Sequence, residues 1–220
     1  MLLYSNSVAL ASPCTLKLDW RTLIFLSILG MLIVSHVLER YMFNKILDFC
    51  FEEAGAKRFF EKTLSFDREL TERFSNVLRA AAAAEFYAWR TDIRGRLAEI
   101  IILDQFSRNI YRDTPAAFAQ DPMALTLAQE AIAAGALHEL TTVAERKFLL
   151  MPYMHSESQL IHQHAEPLFK HFTDEQTYGF EIRHKVIIDQ FGRYPHRNAI
   201  LGRASTQQEL DFLGTPNSSF

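Results

Sequence analysis

The chain has 220 residues, a formal net charge of −3, 18 phenylalanines and only two cysteines. That is enough chain for one domain with a real core, and a slightly acidic balance without any Lys/Arg run excludes nucleic acid as an expected partner, because phosphate binding needs many basic contacts. Cys14 and Cys50 support neither a disulfide framework nor a zinc ribbon; Cys50 sits in an apolar run and reads as a buried thiol, so a cytoplasmic domain is expected.

Residues 1–41 differ from the rest. Thr22 to Leu38 is apolar apart from Thr22, Ser27, Ser35 and His36, bounded by Arg21 and Arg40 and flanked by Trp20 and Tyr41. At ~1.5 Å per residue the run falls slightly short of the ~30 Å hydrocarbon thickness, which aromatic and Arg flanks at the interfaces would extend. A single-pass membrane anchor through residues 22–38 and a sequence that starts too early, with Met42 as the natural first residue, are both open. A cleaved signal peptide fits less well, since no Ala-x-Ala site follows the run.

From Met42 onward the signals are helical and strand alternation is absent. Ile46, Leu47, Phe49, Cys50 and Phe51 predict a first short helix closed by Gly55. Phe66, Leu70, Phe74 and Leu78, spaced by four, give the next helix a core face, with Asp67, Arg68, Glu69 and Glu72 on the wet side. Ala80 to Ala84 continues or re-nucleates helix. Thr91 or Asp92 caps a helix whose run Leu97, Ile100, Ile101, Ile102, Leu103 is apolar nearly all round and should therefore be central. Thr114-Pro115 and Asp121-Pro122 each place a capping residue before a first-turn proline. Thr142-x-x-Glu145, Ser156-x-x-Gln159, Thr173-x-x-Gln176 and Ser205-x-x-Gln208 have capping-box spacing. The expectation is one all-α domain over residues 42–220, with roughly eight to ten helices and short loops.

One polar motif occurs twice. Asp104-Gln105-Phe106-Ser107-Arg108, followed by Arg112, recurs 85 positions later as Asp189-Gln190-Phe191-Gly192-Arg193, followed by Arg197. On a helix the acid and the two arginines fall at i, i+4 and i+8, along one face. Asp104 and Asp189 read as structural ion-pair partners of Arg108 and Arg193. Counting charges gives a second reading, in which Arg108, Arg112, Arg193, Arg197 and His196 exceed the two acids and, with Asn109 and Asn198, frame an anion-binding pocket if the copies converge.

Six of the eight histidines lie between His155 and His196, yet no His-Glu-x-x-His is present and no metal is expected. His155-Ser156-Glu157 has two readings. Structurally, Ser156 caps a helix and Glu157 is a favourable first-turn acid. Functionally, the helix start offers N–H groups to an anion and His155, Glu157 or His184 supplies acid/base capacity. No nucleophile motif and no phosphate loop is present, which disfavours covalent catalysis and nucleotide hydrolysis; no cofactor is implied.

Ile46-Leu-Asp-Phe-Cys-Phe51, Gly95-Arg-Leu-Ala98 leading to Asp104–Arg112, Tyr153-Met-His-Ser-Glu157, and Gln190–Asn198 with Leu201–Thr206 occur in an order that resembles a bacterial family, domain of unknown function 924. The resemblance spans about residue 44 to the C-terminus. It implies a tetratricopeptide-like array of antiparallel helices and assigns no reaction. Cys50 stands where the family more often has Trp, and residues 1–40 lie outside the resemblance. The 85-position offset is not a multiple of the ~34-residue tetratricopeptide period, so the copies read as two equivalent helix ends.

Three functions follow as expectations: a binding or catalytic pocket for a small anionic metabolite; an adaptor whose groove binds a protein segment, with the Arg/Asp ladders structural; and a membrane-tethered version of either.

Overall fold

A computed structural model describes residues 20–216 and 218. Among them there are helices and turns and no strand, so the all-α expectation holds. The α-helices are α1 (Trp20–Asp48), α2 (Leu64–Ala82), α3 (Ile93–Ile101), α4 (Ser107–Ile110), α5 (Asp121–Ala133), α6 (Ala136–Glu139), α7 (Val143–Met154), α8 (Gln159–Phe172), α9 (Glu175–Phe191) and α10 (Gln207–Leu213). Two units are distinguished, divided after Leu38, and the second holds the aromatic core and both copies of the polar motif.

The predicted short first helix is instead part of α1, which passes into a π-helical turn, Phe49–Glu53, before Gly55 at φ 74° redirects the chain. Among the described residues no helix is long and apolar enough to cross a membrane. The anchor reading of residues 22–38 is therefore not supported, and the membrane-tethered function loses its basis. Residues 1–19 of the extension lie outside the described residues.

The phenylalanines explain the core. Phe49 contacts the rings of Phe59, Phe66, Phe74 and Phe106, at 4.7 Å between centroids for Phe74, and Phe59 stacks on Phe106 at 5.8 Å. Such pairs add ~0.5–1.5 kcal/mol each beyond the area they bury. Phe66, Leu70, Phe74 and Leu78 form the buried stripe of α2 as their spacing predicts. The alanine run does not carry the helix through: α2 stops at Ala82, and Ala84 turns the chain with φ 58°. In this setting the Cys50 thiol is buried and its pKa is pushed up by burial.

The central helix is α3, as expected, capped by Asp92, whose carboxylate accepts from the Arg94 N–H at 2.8 Å. It lies against α5 and α7, and Gly95 lets it approach Trp89 so closely that a Cβ there would stand 2.3 Å from the Trp89 carbonyl oxygen. Of the four expected capping boxes, Thr142 with Glu145 forms as read. The others shift: α8 begins after Ser158, α9 is capped by Asp174, and α10 is capped by a Thr206–Glu209 box. A two-residue turn joins α8 and α9, which run antiparallel, since the Gln159 side chain near the start of α8 bonds the Ile188 and Asp189 carbonyls near the end of α9.

Candidate functional site

The first motif copy lies on a π-helical turn, Ile102–Phe106, that joins α3 to α4 with every residue buried. Such turns recur at functional sites because they shift side chains off the ordinary helical register. Asp104 Oδ1 forms an ion pair with Arg108 Nη1 at 3.0 Å and lies 2.7 Å from His155 Nδ1, while Gln105 donates to Oδ2. Burial alone would raise the Asp104 carboxyl, but Arg108 and His155 outweigh it and hold it well below the usual carboxylate range. Arg108 also forks onto Asp121 at 2.9 and 3.0 Å and donates to the Asp104 carbonyl. The predicted Asp104–Arg108 pair is therefore present, with a second acid added. Arg112 leaves this stripe altogether: with Asn109 it grips Asp67 of α2, at 2.6 and 2.7 Å from the guanidinium. Asp67, expected on the wet face, is a half-buried partner.

The second copy is not equivalent. Gly192, at φ 69°, ends α9 between Asp189 and Arg193 and breaks the i, i+4 relation. Asp189 pairs instead with Lys185 at 2.6 Å on the surface. Arg193 reaches across to Glu209 with two bonds, at 2.6 and 2.8 Å. Glu157 accepts from the Tyr194 N–H at 2.7 Å and takes the Arg203 fork at 2.6 and 2.9 Å; Asn198 in turn accepts from Arg203 and donates to Ser205. Glu157 is thus a clamp that fixes the 194–203 segment. Burial would raise its carboxyl, and Arg203 with the Tyr194 N–H outweighs that and holds it down. The expected role of Ser156 as a helix cap is also replaced, because α8 begins only after Ser158; the Ser156 carbonyl lies 2.9 Å from His162 Nε2.

What the clamp positions is Arg197, in a 3-10 turn spanning Pro195–Arg197. It is 6% exposed, with its guanidinium 4.5 Å from the Tyr194 ring and 4.7 Å from the Phe118 ring. Among the described residues its side chain donates one bond, Nη1 to Asp121 Oδ2 at 3.2 Å, and its buried Nε has no acceptor. Burial and the neighbouring Arg108 both push its pKa down, meaning that the charge is poorly compensated where it stands. Asp121 therefore joins the copies: Arg108 from one and Arg197 from the other share its carboxylate.

These groups border a cavity of about 230 Å³. Of the candidates read from sequence, Arg108, Arg112, His155, His184, His196 and Arg197 line it, whereas Asn109, Glu157, Arg193 and Asn198 do not. His155 Nδ1 is taken by Asp104, which in the neutral ring makes Nδ1 the donor and leaves Nε2 the basic nitrogen. His184 Nδ1 likewise donates to the Phe180 carbonyl at 2.7 Å. Burial lowers all three cavity histidines, with Arg108 adding to the effect at His155 and Arg197 pushing His196 to about 4. Each is therefore neutral at pH 7.

In the sequence Asp121 is visible only as a helix-start signal before Pro122, and Lys62 and Phe118 carry no motif at all. Only the phase of a proline-started helix, with its acid at the first turn near two arginines, points towards Asp121.

A family model described as bacterial protein of unknown function (DUF924) matches residues 46–217. A solved structure of a protein of unknown function from Agrobacterium tumefaciens is 32% identical, aligns with a TM-score of 0.75, and covers 80% of this chain and 98% of its own. No curated protein matches the chain.

Proposed function

Since the chain belongs to that bacterial family of unknown function (DUF924), whose description assigns no reaction, we propose from the geometry that the cavity is a binding pocket for a small anionic metabolite. The observation that carries this reading is Arg197, a buried guanidinium whose Nε lacks an acceptor and which lines an open cavity beside a second guanidinium. Leaving a buried charged donor unsatisfied costs more than an ordinary hydrogen bond returns, and an anion in the cavity would remove that cost. The Asp104–His155 pair gives the same pocket acid/base capacity: a fixed carboxylate orients the ring and leaves the neutral Nε2 as the acceptor, a weaker base than a free imidazole because burial and Arg108 lower it.

The test is a set of thermal melts of the full chain with acetate, benzoate, phosphate and sulfate, repeated on Arg197→Gln. A ligand present at about 100 times its Kd adds ~2.7 kcal/mol to stability, a clear rise in Tm. The expected result is a rise with at least one anion that Arg197→Gln abolishes. Melts that no anion moves, or moves equally in the variant, refute the reading.

A further inference from the structure

Three features of the cavity narrow the ligand. The first is the shape of the donor set at Arg197. Nη1 is spent on Asp121, Nε has no acceptor, and Nη2 carries no hydrogen bond among the described residues. Together Nε and Nη2 form one edge of the guanidinium, two parallel donors whose spacing matches the two oxygens of a carboxylate.

The second feature is charge balance. Arg108 is matched by Asp104 and Asp121, Arg112 by Asp67, and Lys62 lines the cavity together with Asp113. The cavity histidines are neutral. A single negative charge can be held by the spare edge of Arg197, whereas the other cation at the cavity without an acid partner among the described residues, Lys62, is exposed, so a second charge held there gains little over water.

The third is the apolar part of the lining. Phe59, Phe60, Phe118, Met151 and Ile200 line the same cavity, so a hydrophilic ion would leave most of that surface uncovered. The volume of about 230 Å³ holds on the order of eight water-sized groups at ~30 Å³ each.

We infer that the cavity takes a monocarboxylic acid bearing a short alkyl or aryl group, its carboxylate on the Nε–Nη2 edge of Arg197 and its hydrocarbon against the phenylalanine wall. This rests on the anion reading above and specifies it. The hydrocarbon contributes through area removed from water, and the guanidinium edge sets the orientation that places the acid beside His155.

The experiment is isothermal calorimetry of the full chain with the sodium salts of acetate, hexanoate, benzoate, phosphate and sulfate. Hexanoate or benzoate should bind at least about tenfold tighter than acetate, the size expected for burying a few methylene groups, with phosphate and sulfate weaker still. Arg197→Lys keeps the charge but removes the fork, and should weaken hexanoate by about tenfold. Phe60 is 47% exposed, so Phe60→Ala should fold; it should weaken hexanoate and leave acetate unchanged. Phosphate or sulfate binding as tightly as the best acid, or equal affinities for acetate and hexanoate, overturns the inference while an anion pocket stands. Hexanoate affinity unchanged by Phe60→Ala also overturns it, and no binding by any of the five overturns both.

Discussion

Replacing Arg108 by Met keeps the aliphatic stem and removes the guanidinium, and the outcome should depend on pH in a way that only this arrangement produces. Arg108 makes two bonds to Asp121, one to the Asp104 carbonyl and an ion pair with Asp104, whose side chain is 1% exposed. Removing a partner from a buried pair costs about 3–5 kcal/mol, a large part of the ~5–15 kcal/mol that holds a domain together. His155 offers partial relief. After burial, Arg108 is the strongest influence lowering its pKa, and Asp104 acts the other way. Without Arg108 the folded-state pKa of His155 moves up, so the lowered ring costs the variant less stability than it costs wild type as pH falls through the usual histidine range. The loss should therefore be near the full 3–5 kcal/mol at about pH 8 and distinctly smaller at about pH 6. Urea melts of wild type and Arg108→Met at the two pH values measure it, with Arg193→Ala as the contrast. Arg193 is a half-exposed partner of Glu209, which keeps its bonds to Thr206, so its loss should cost less than that of Arg108. Equal losses for Arg108→Met at both pH values, or a loss as small as that of Arg193→Ala, would refute the reasoning.

Arg197→Met should leave stability unchanged or raise it by up to ~1 kcal/mol in the ligand-free protein, because the buried, under-bonded cation beside Arg108 costs more than its single 3.2 Å bond returns; a urea melt showing a loss above ~2 kcal/mol would contradict this. In acid, the wild type should lose stability as pH falls from about 6.5 towards 4, before most carboxylates protonate. His155, His184 and His196 all have lowered folded-state pKa values, His196 at about 4, so the unfolded chain binds more protons across that window. Chemical denaturation across that range should show the decline, and His196→Gln should flatten part of it. A fragment of residues 42–220 should melt cooperatively by circular dichroism, since Phe43, Ile46 and Leu47 at its start already belong to the core; a broad, non-cooperative melt would mean that earlier residues complete the fold.

Helix content and core faces are legible in the sequence because they depend on short-range spacing. The four-residue period of Phe66 to Leu78 needs only a continuous helix to bury its face, and α2 supplies one. Cap positions are less legible where two adjacent residues share the chemistry. Thr173 stands beside Asp174, and the stronger acceptor takes the Thr177 N–H; Ser205 stands beside Thr206, whose box closes with Glu209 in place of Gln208. Ser156 meets a different competitor, because the turn after α7 is fixed by Glu157 and Arg203 from 46 positions away.

The same limit governs the site. Two copies of one motif look equivalent because i, i+4 and i+8 assume unbroken α-helix, and neither copy has it: one bends through a π-turn and the other ends at Gly192. Counting four arginines and a histidine against two aspartates also leaves out acids that are remote in sequence. Asp67, Asp121 and Glu209 cancel most of the apparent excess. What survives is one edge of one guanidinium. That spare donor edge is what remains after many pairings, so it emerges only after each pair has found its partner in space. It lines the same cavity as His155, and that is what turns a repeated polar motif into a candidate site, since the first copy supplies the carboxylate that fixes His155 and the second supplies the spare donor.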